Sequence, residues 1–205
     1  MEFWNETITN ASWEKLKELN GKIRFVLIGG WATYLYTKLS KSKDIDIIID
    51  YNELKELNKE YDLRKNDILR KYEIKLPMFD VDIYLPHYSG LAIPPQDMLE
   101  SLNVRVDGFL LPRIDALIAL KTAAFLSRKD SIKGKKDEVD ILGLMLDERL
   151  DTGLLKDTLV KYGHGDYLDV IRGFLHTRDK EILSYLNTDQ HAFSRKSRKL
   201  MADLQ

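Results

Sequence analysis

The chain has 205 residues, with 32 Lys+Arg against 33 Asp+Glu, a formal net charge of −1 and 44% hydrophobic residues. That length allows one large domain or two small ones and buries a core without covalent staples. The absence of cysteine excludes a disulfide scaffold, a Cys-ligated zinc site and a thiol nucleophile.

Near-zero net charge argues against a generally basic nucleic-acid coat and leaves only local patches. No apolar run approaches the ~20 residues of a membrane span. The opening MEFWNETITN lacks a basic segment followed by an apolar stretch. The expectation is a soluble cytoplasmic protein with no membrane partner.

In chain order, residues 10–20 read as a short helix, with Trp13, Leu16 and Leu19 at helical spacing and Gly21 at its end. Residues 23–28 are an apolar run of strand length, followed at once by Gly29 and Gly30. The segment WATYLYTKL then reads as a helix. Residues 44–49 form a second strand, with Asp44, Asp46 and Ile48 on one face and three isoleucines on the other. Residues 52–60 look helical and exposed. Residues 79–85 are a third strand closed by Pro86, with Asp80, Asp82 and Tyr84 sharing a face.

Beyond Pro94-Pro95, QDMLESL is a short helix, and NVRVDGFLLP reads as a hairpin turning at Asp107-Gly108. After Pro112 only helical periodicity remains, over 113–128, 136–147, 151–161, 166–175, 179–187 and 190–203. Asp166 stands where a helix cap is expected. The expected class is α+β: a mixed sheet with flanking helices over residues 1–112, then a helical region over 113–205 that packs on it and closes a pocket.

Three features carry chemistry. A Gly pair between strand and helix lets a phosphate approach the backbone, and the helix N-terminus adds free N–H groups. Taken alone, Gly29-Gly30 reads more simply as a tight turn. In Asp44-Ile45-Asp46, residues i and i+2 of a strand point the same way, so two carboxylates converge. A divalent ion would relieve their repulsion, and oxygen ligands suit Mg²⁺ or Mn²⁺. The same acids at an exposed strand start, paired with Lys41 or Lys43, would do nothing chemical. Asp82, in a strand of similar character, would supply a third carboxylate for two metals clamping a phosphoryl displacement, or a base for an acceptor hydroxyl. It is preferred to Asp80 because it sits deeper in the apolar run.

Gly29-Gly30, a helix, Ser42-Lys43-Asp44-Ile45-Asp46 and a separate strand Asp together resemble the nucleotidyltransferase superfamily, of polymerase-β-like fold. Asp44 lies fourteen positions after Gly30. The resemblance implies that Gly29, Gly30 and Ser42 hold a triphosphate and that Asp44, Asp46 and Asp82 bind Mg²⁺ or Mn²⁺. A nucleoside monophosphate would pass from an NTP to an acceptor.

The helical half adds Lys121-x₆-Arg128 and Lys136-Asp137-x₂-Asp140-Ile141-x₂-Leu144. This looks like the block of the AbiEii-type toxin nucleotidyltransferases, which implies nucleotide-binding roles for Lys121, Arg128, Asp137 and Asp140. The physics is consistent, since Lys supplies a point charge and Arg a fork for phosphate. The resemblance covers roughly residues 23–144. This chain has Lys at 38, 41 and 43 where many members carry Arg before the acid pair.

The resemblance and two basic stretches favour a tRNA or other RNA acceptor, or a protein, with a cognate antitoxin as partner. The stretches are residues 121–136 (net +5) and 194–199 (net +4). A small-molecule acceptor of the aminoglycoside kind and a non-catalytic NTP-binding or partner-binding module are the alternatives. Trp31 reads as core rather than a base-stacking platform. His87, His164, His176 and His191 have no metal-ligand spacing.

Overall fold

The computed structural model describes residues 5–205. Helix α1 (Glu6–Asn20) begins four residues earlier than its apolar pattern suggests, because the Asn5 side chain caps it by accepting from the Thr7 N–H. Strand β1 (Val26–Ile28) is fully buried and runs without a loop into α2 (Gly29–Thr37). Strand β2 (Ile45–Ile48) follows, then α3 (Tyr51–Glu60), whose cap is Asp50.

Two strands stand where sequence patterning predicts none: β3 (Arg64–Asn66) and β4 (Lys71–Lys75). Their residues, RKN and KYEIK, lack the apolar alternation that marks a strand. In β4 the alternation is instead of charge, with Lys71, Glu73 and Lys75 on one face and Tyr72 and Ile74 on the other. Strand β5 (Asp80–Tyr84) completes a mixed sheet of order β1-β2-β5-β4-β3. Within it β2 and β5 run parallel, and the other neighbours are antiparallel.

Helix α4 (Pro95–Glu100) leads to the hairpin of β6 (Asn103–Val106) and β7 (Phe109–Pro112). Its turn residues, Asp107 and Gly108, both have positive φ, the requirement of a tight two-residue hairpin. The rest is helical: α5 (Ile114–Arg128), α6 (Ile132–Met145), α7 (Thr152–Lys161), α8 (Tyr167–Phe174), α9 (Lys180–Tyr185) and α10 (Gln190–Asp203). Helix α6 starts four residues before its apolar pattern, because Ser131 caps it through the Gly134 N–H. Asp166 occupies its expected position but makes no cap bond, since its backbone is already helical.

Buried apolar side chains from the sheet, α2 and the C-terminal helices form one cluster. Contacts join the halves directly: Arg149 donates to the Tyr36 carbonyl at 2.7 Å, and α2 packs on α5 and α6. Within the first half, the Tyr36 hydroxyl donates to the Pro112 carbonyl at 2.8 Å. Among the described residues no helix is long and apolar enough to cross a membrane.

Trp31, on the first turn of α2, belongs to this core: it is 1% exposed, and its Nε1–H donates to the buried Ser12 hydroxyl at 2.9 Å. Its ring lies 5.0 Å from that of Trp13. Trp31→Ala is expected to cost about 3–5 kcal/mol. Trp31→Phe keeps most of the packing and should cost about 1–3 kcal/mol, the penalty of an orphaned buried hydroxyl. Urea unfolding of the two variants checks the order, and equal losses would contradict it.

Candidate active site

The site begins with backbone. Gly29 has φ +68, and a Cβ there would stand 2.1 Å from Asp46 Oδ2. A Cβ on Gly30 would stand 2.5 Å from the Ser42 hydroxyl. The Gly pair therefore lets the first turn of α2 lie directly against Asp46 and Ser42, closer than any side chain permits. Ser42 is buried and donates to the Asp44 carbonyl at 3.1 Å.

Sheet register then assembles the acids. Asp46 pairs with Asp82 across β2 and β5, and Asp82 pairs with Glu73 across β5 and β4. Partners in register share a face, so three carboxylates from three strands lie in one cross-strand row. Asp44, just before β2, sits beside this row. Its Oδ1 accepts from the Asp80 N–H at 3.3 Å, and Lys133 Nζ is 3.9 Å from its Oδ2. Asp80 itself is half-exposed and paired with Lys75 at 2.7 Å.

Such a row is electrostatically costly. Burial pushes the Asp46 carboxyl up from its ordinary 3.8 to about 6, with the Asp82 charge adding to the effect. Burial also raises Asp82, against the pull of Lys71. Tyr84 is driven well above its usual value by burial and by Asp46, whose Oδ1 accepts from its hydroxyl at 3.5 Å. Lys71 reaches diagonally across to β5, meeting Asp82 Oδ2 at 2.6 Å, and along its own strand to Glu73 Oε1 at 2.9 Å. The other Asp82 oxygen, Oδ1, is buried and, among the described residues, has no hydrogen-bond partner.

Facing the acids is the α5/α6 corner. Lys121 bonds Asp140 at 2.6 Å and lies 3.4 Å from Asp137. Arg128 grips Asp137 through Nε and a terminal nitrogen, at 2.7 and 3.0 Å. Lys136 bonds Asp140 at 3.0 Å. Burial alone would pull the Lys121 ammonium down, but Asp140 and Asp137 outweigh it and hold it above its usual value. For Lys136 burial wins, with Lys121 adding repulsion, and the ammonium is lowered.

Between floor and wall lies a cleft of about 590 Å³. Gly29, Gly30, Ser42, Asp44, Asp46 and Asp82 line it on the sheet side, and Lys121, Arg128 and Asp137 on the helical side. Asp140 stands behind the lining and reaches the cleft only through Lys121 and Lys136. Lys71, Glu73 and Lys136 are additions to the expected set. Lys136 belongs to the Lys136-Asp137-x₂-Asp140 block, whereas Lys71 and Glu73 stand on β4, where the period-2 pattern Lys-x-Glu-x-Lys is the only sequence signal.

The basic stretch 121–136 is not a continuous exposed patch. Lys121 and Lys136 are buried, and Arg128 and Lys135 are paired with acids. The four cations of 194–199 are exposed on α10.

The donor set of Asp44 and Asp46 suits a hard divalent ion, with all-oxygen carboxylates and strong mutual repulsion. Among the described residues, however, no three acidic or imidazole groups form a ready cage. Any Mg²⁺ here would use Asp44 and Asp46 together with phosphate oxygens of its nucleotide, the usual arrangement for that ion.

A mixed five-stranded sheet, a Gly-Gly turn against an Asp-x-Asp strand and a third acid on the parallel neighbour define the nucleotidyltransferase superfamily. Residues 7–167 match the family described as "Nucleotidyltransferase of unknown function (DUF6036)", and the chain belongs to that family. The crystal structure of JHP933 from Helicobacter pylori is similar in fold, with a TM-score of 0.50 and 16% identity over 97% of this chain and 95% of that one. An antigenic nucleotidyltransferase-like protein from Paracoccidioides brasiliensis aligns at a TM-score of 0.42 and 14% identity, over 89% and 91% of the two chains. No curated protein matches.

The raised Asp46 carboxyl has a consequence for stability. A carboxyl elevated in the fold destabilises it wherever the group is ionised, so the penalty is full above about pH 6 and gone below the ordinary 3.8. In EDTA, Asp46→Asn should be the more stable protein at pH 7–8. Its advantage in melting temperature should shrink as pH falls from about 6 toward 4. A pH-independent difference would contradict this assignment.

Proposed function

We propose that this protein transfers a nucleoside monophosphate from an NTP to an acceptor hydroxyl in the cleft between sheet and α5/α6. The observation that carries this reading is that Asp44, Asp46 and Asp82 face Lys121, Arg128, Lys133 and Lys136 across one cavity. A triphosphate with a divalent ion is a ligand with matching charge at both ends.

In this reading the α2 N-terminus, with Gly29, Gly30 and Ser42, cradles phosphate, where free N–H groups and the helix dipole favour an anion. Lys121 and Arg128 hold the rest of the triphosphate, with Asp137 and Asp140 orienting them. Asp44 and Asp46 hold the Mg²⁺ or Mn²⁺, which when bound offsets charge on the phosphates. The acceptor oxygen forms a bond to the α-phosphorus, the α–β P–O bond breaks and pyrophosphate leaves. Asp82 accepts the hydroxyl proton at Oδ1, which has no other partner among the described residues.

For the acceptor we favour an RNA such as tRNA, or a protein, with the chain acting as the toxin of a toxin–antitoxin pair. The exposed cations of α10 support a polyanion. A small aminoglycoside-like molecule is the alternative within the same chemistry. A binding-only module is the second reading, and the Lys71 ammonium seated on the third carboxylate speaks for it.

Incubation with each α-³²P-labelled NTP, Mg²⁺ and total cellular RNA and protein tests the proposal. Label should appear on a macromolecule with the wild type and fall by about 10²–10³-fold with Asp44→Asn or Asp46→Asn, the scale expected when a group stabilising transition-state charge is lost. Label that persists in both variants would refute the metal assignment. Nucleotide binding with no transfer to macromolecules or aminoglycosides would favour the module.

A further inference from the structure

The Lys71 ammonium already takes up one oxygen of Asp82, and we propose that it is a built-in substitute for a second divalent cation. This rests on the reading of the cleft as a nucleotide–metal site and specifies how many ions that site takes.

Glu73 and Asp82 are direct cross-strand partners, and Asp82 and Asp46 are the next pair along the same row. Like charges directly opposite on a sheet repel, so a fold that places three in a row needs cations between them. Between Asp46 and Asp82 the described residues put none within bonding distance. Between Asp82 and Glu73 they put Lys71, at 2.6 and 2.9 Å. It is 9% exposed, and its stem is fixed by strand β4, so the ammonium is held in place by the backbone and by two carboxylates.

This arrangement has a consequence for metals. An ion bridging Asp46 and Asp82, as two-metal sites require at ~3.5–4 Å from the first ion, would share the Asp82 carboxylate with Lys71. Its Oδ2 already accepts from Lys71, and a divalent ion brought beside a fixed ammonium in a poorly solvated row meets strong repulsion. Asp82 Oδ1 remains open, but one oxygen beside a cation offers a poor ion site and a good proton acceptor. The geometry therefore assigns one ion to Asp44 and Asp46, and gives Lys71 the task of holding Asp82 ionised and oriented. Lys71 is a positioning residue on this account.

The substitute is also tied to the cleft mouth. Lys71 follows the β3–β4 turn, whose Ile68 and Leu69 are 93% and 59% exposed, and Leu69 lines the cleft. Binding at the mouth would thus bear on the strand that carries the ammonium.

Electron paramagnetic resonance of Mn²⁺ with a non-hydrolysable α,β-methylene NTP analogue tests the count without requiring turnover. The wild-type complex should hold one Mn²⁺ per chain, with an uncoupled spectrum. Lys71→Met should raise the count to two and give the spin-coupled signal of ions a few ångströms apart. Lys71→Met/Glu73→Gln removes one cation with one anion and preserves net charge, so it serves if the single variant does not fold; it too should take two. Glu73→Gln alone, which leaves Lys71 on Asp82, should stay at one.

Two coupled ions in the wild type would overturn the proposal, as would a single ion in folded Lys71 variants. A wild type that binds neither the analogue nor Mn²⁺ with it would overturn the nucleotide–metal reading, and this inference with it.

Discussion

Repulsion within the row Asp46–Asp82–Glu73 is the constraint from which the rest of the site follows. Folding brings these carboxylates together because strand register leaves them no other place. The sheet must then supply counter-charge or hold a carboxyl above its normal range, and it does both. Lys71 satisfies the outer pair, while the Asp46 carboxyl is raised to about 6. A row that carries unrelieved negative charge at one end is a site prepared for a cation or a proton.

The helical wall solves the opposite problem. Lys121 and Lys136 are buried, which is tolerable only with partners, and Asp137 and Asp140 provide them. Three cationic groups share two acids, so the corner keeps excess positive character on the side facing the sheet. The two halves of the chain are thereby complementary across the cleft. The Gly29-Gly30 turn sets how closely α2 approaches the acids, since a Cβ at either position would collide with a side chain of the site.

Much of this was legible in the residues, and the reasons differ by element. The alternation of Asp with Ile in β2 and with Val and Ile in β5 announced both strands and the face their acids share. Strand β4 was illegible because its face points at the site rather than a core, so charge replaced apolar alternation and took Lys71 and Glu73 out of view. Helices α1 and α6 begin early because single capping side chains, Asn5 and Ser131, set their starts where hydrophobic periodicity carries no signal. The net charge of 121–136 suggested a surface, whereas ion pairs with Asp137, Asp140 and Glu181 absorb most of it. Which acids those lysines meet depends on how α5 packs against α6, and no local pattern contains that.

The central claim is that acids and cations on opposite walls bind one metal–triphosphate ligand together. Calorimetric titration of the wild type, Lys121→Met and Asp46→Asn with a non-hydrolysable NTP analogue, with and without Mg²⁺, tests it most directly. The account predicts Mg²⁺-dependent binding that weakens at least about tenfold in each variant, or about 1.4 kcal/mol. In Asp46→Asn the binding should also lose its dependence on Mg²⁺. Equal affinity in all three proteins, or wild-type binding indifferent to Mg²⁺, would contradict it.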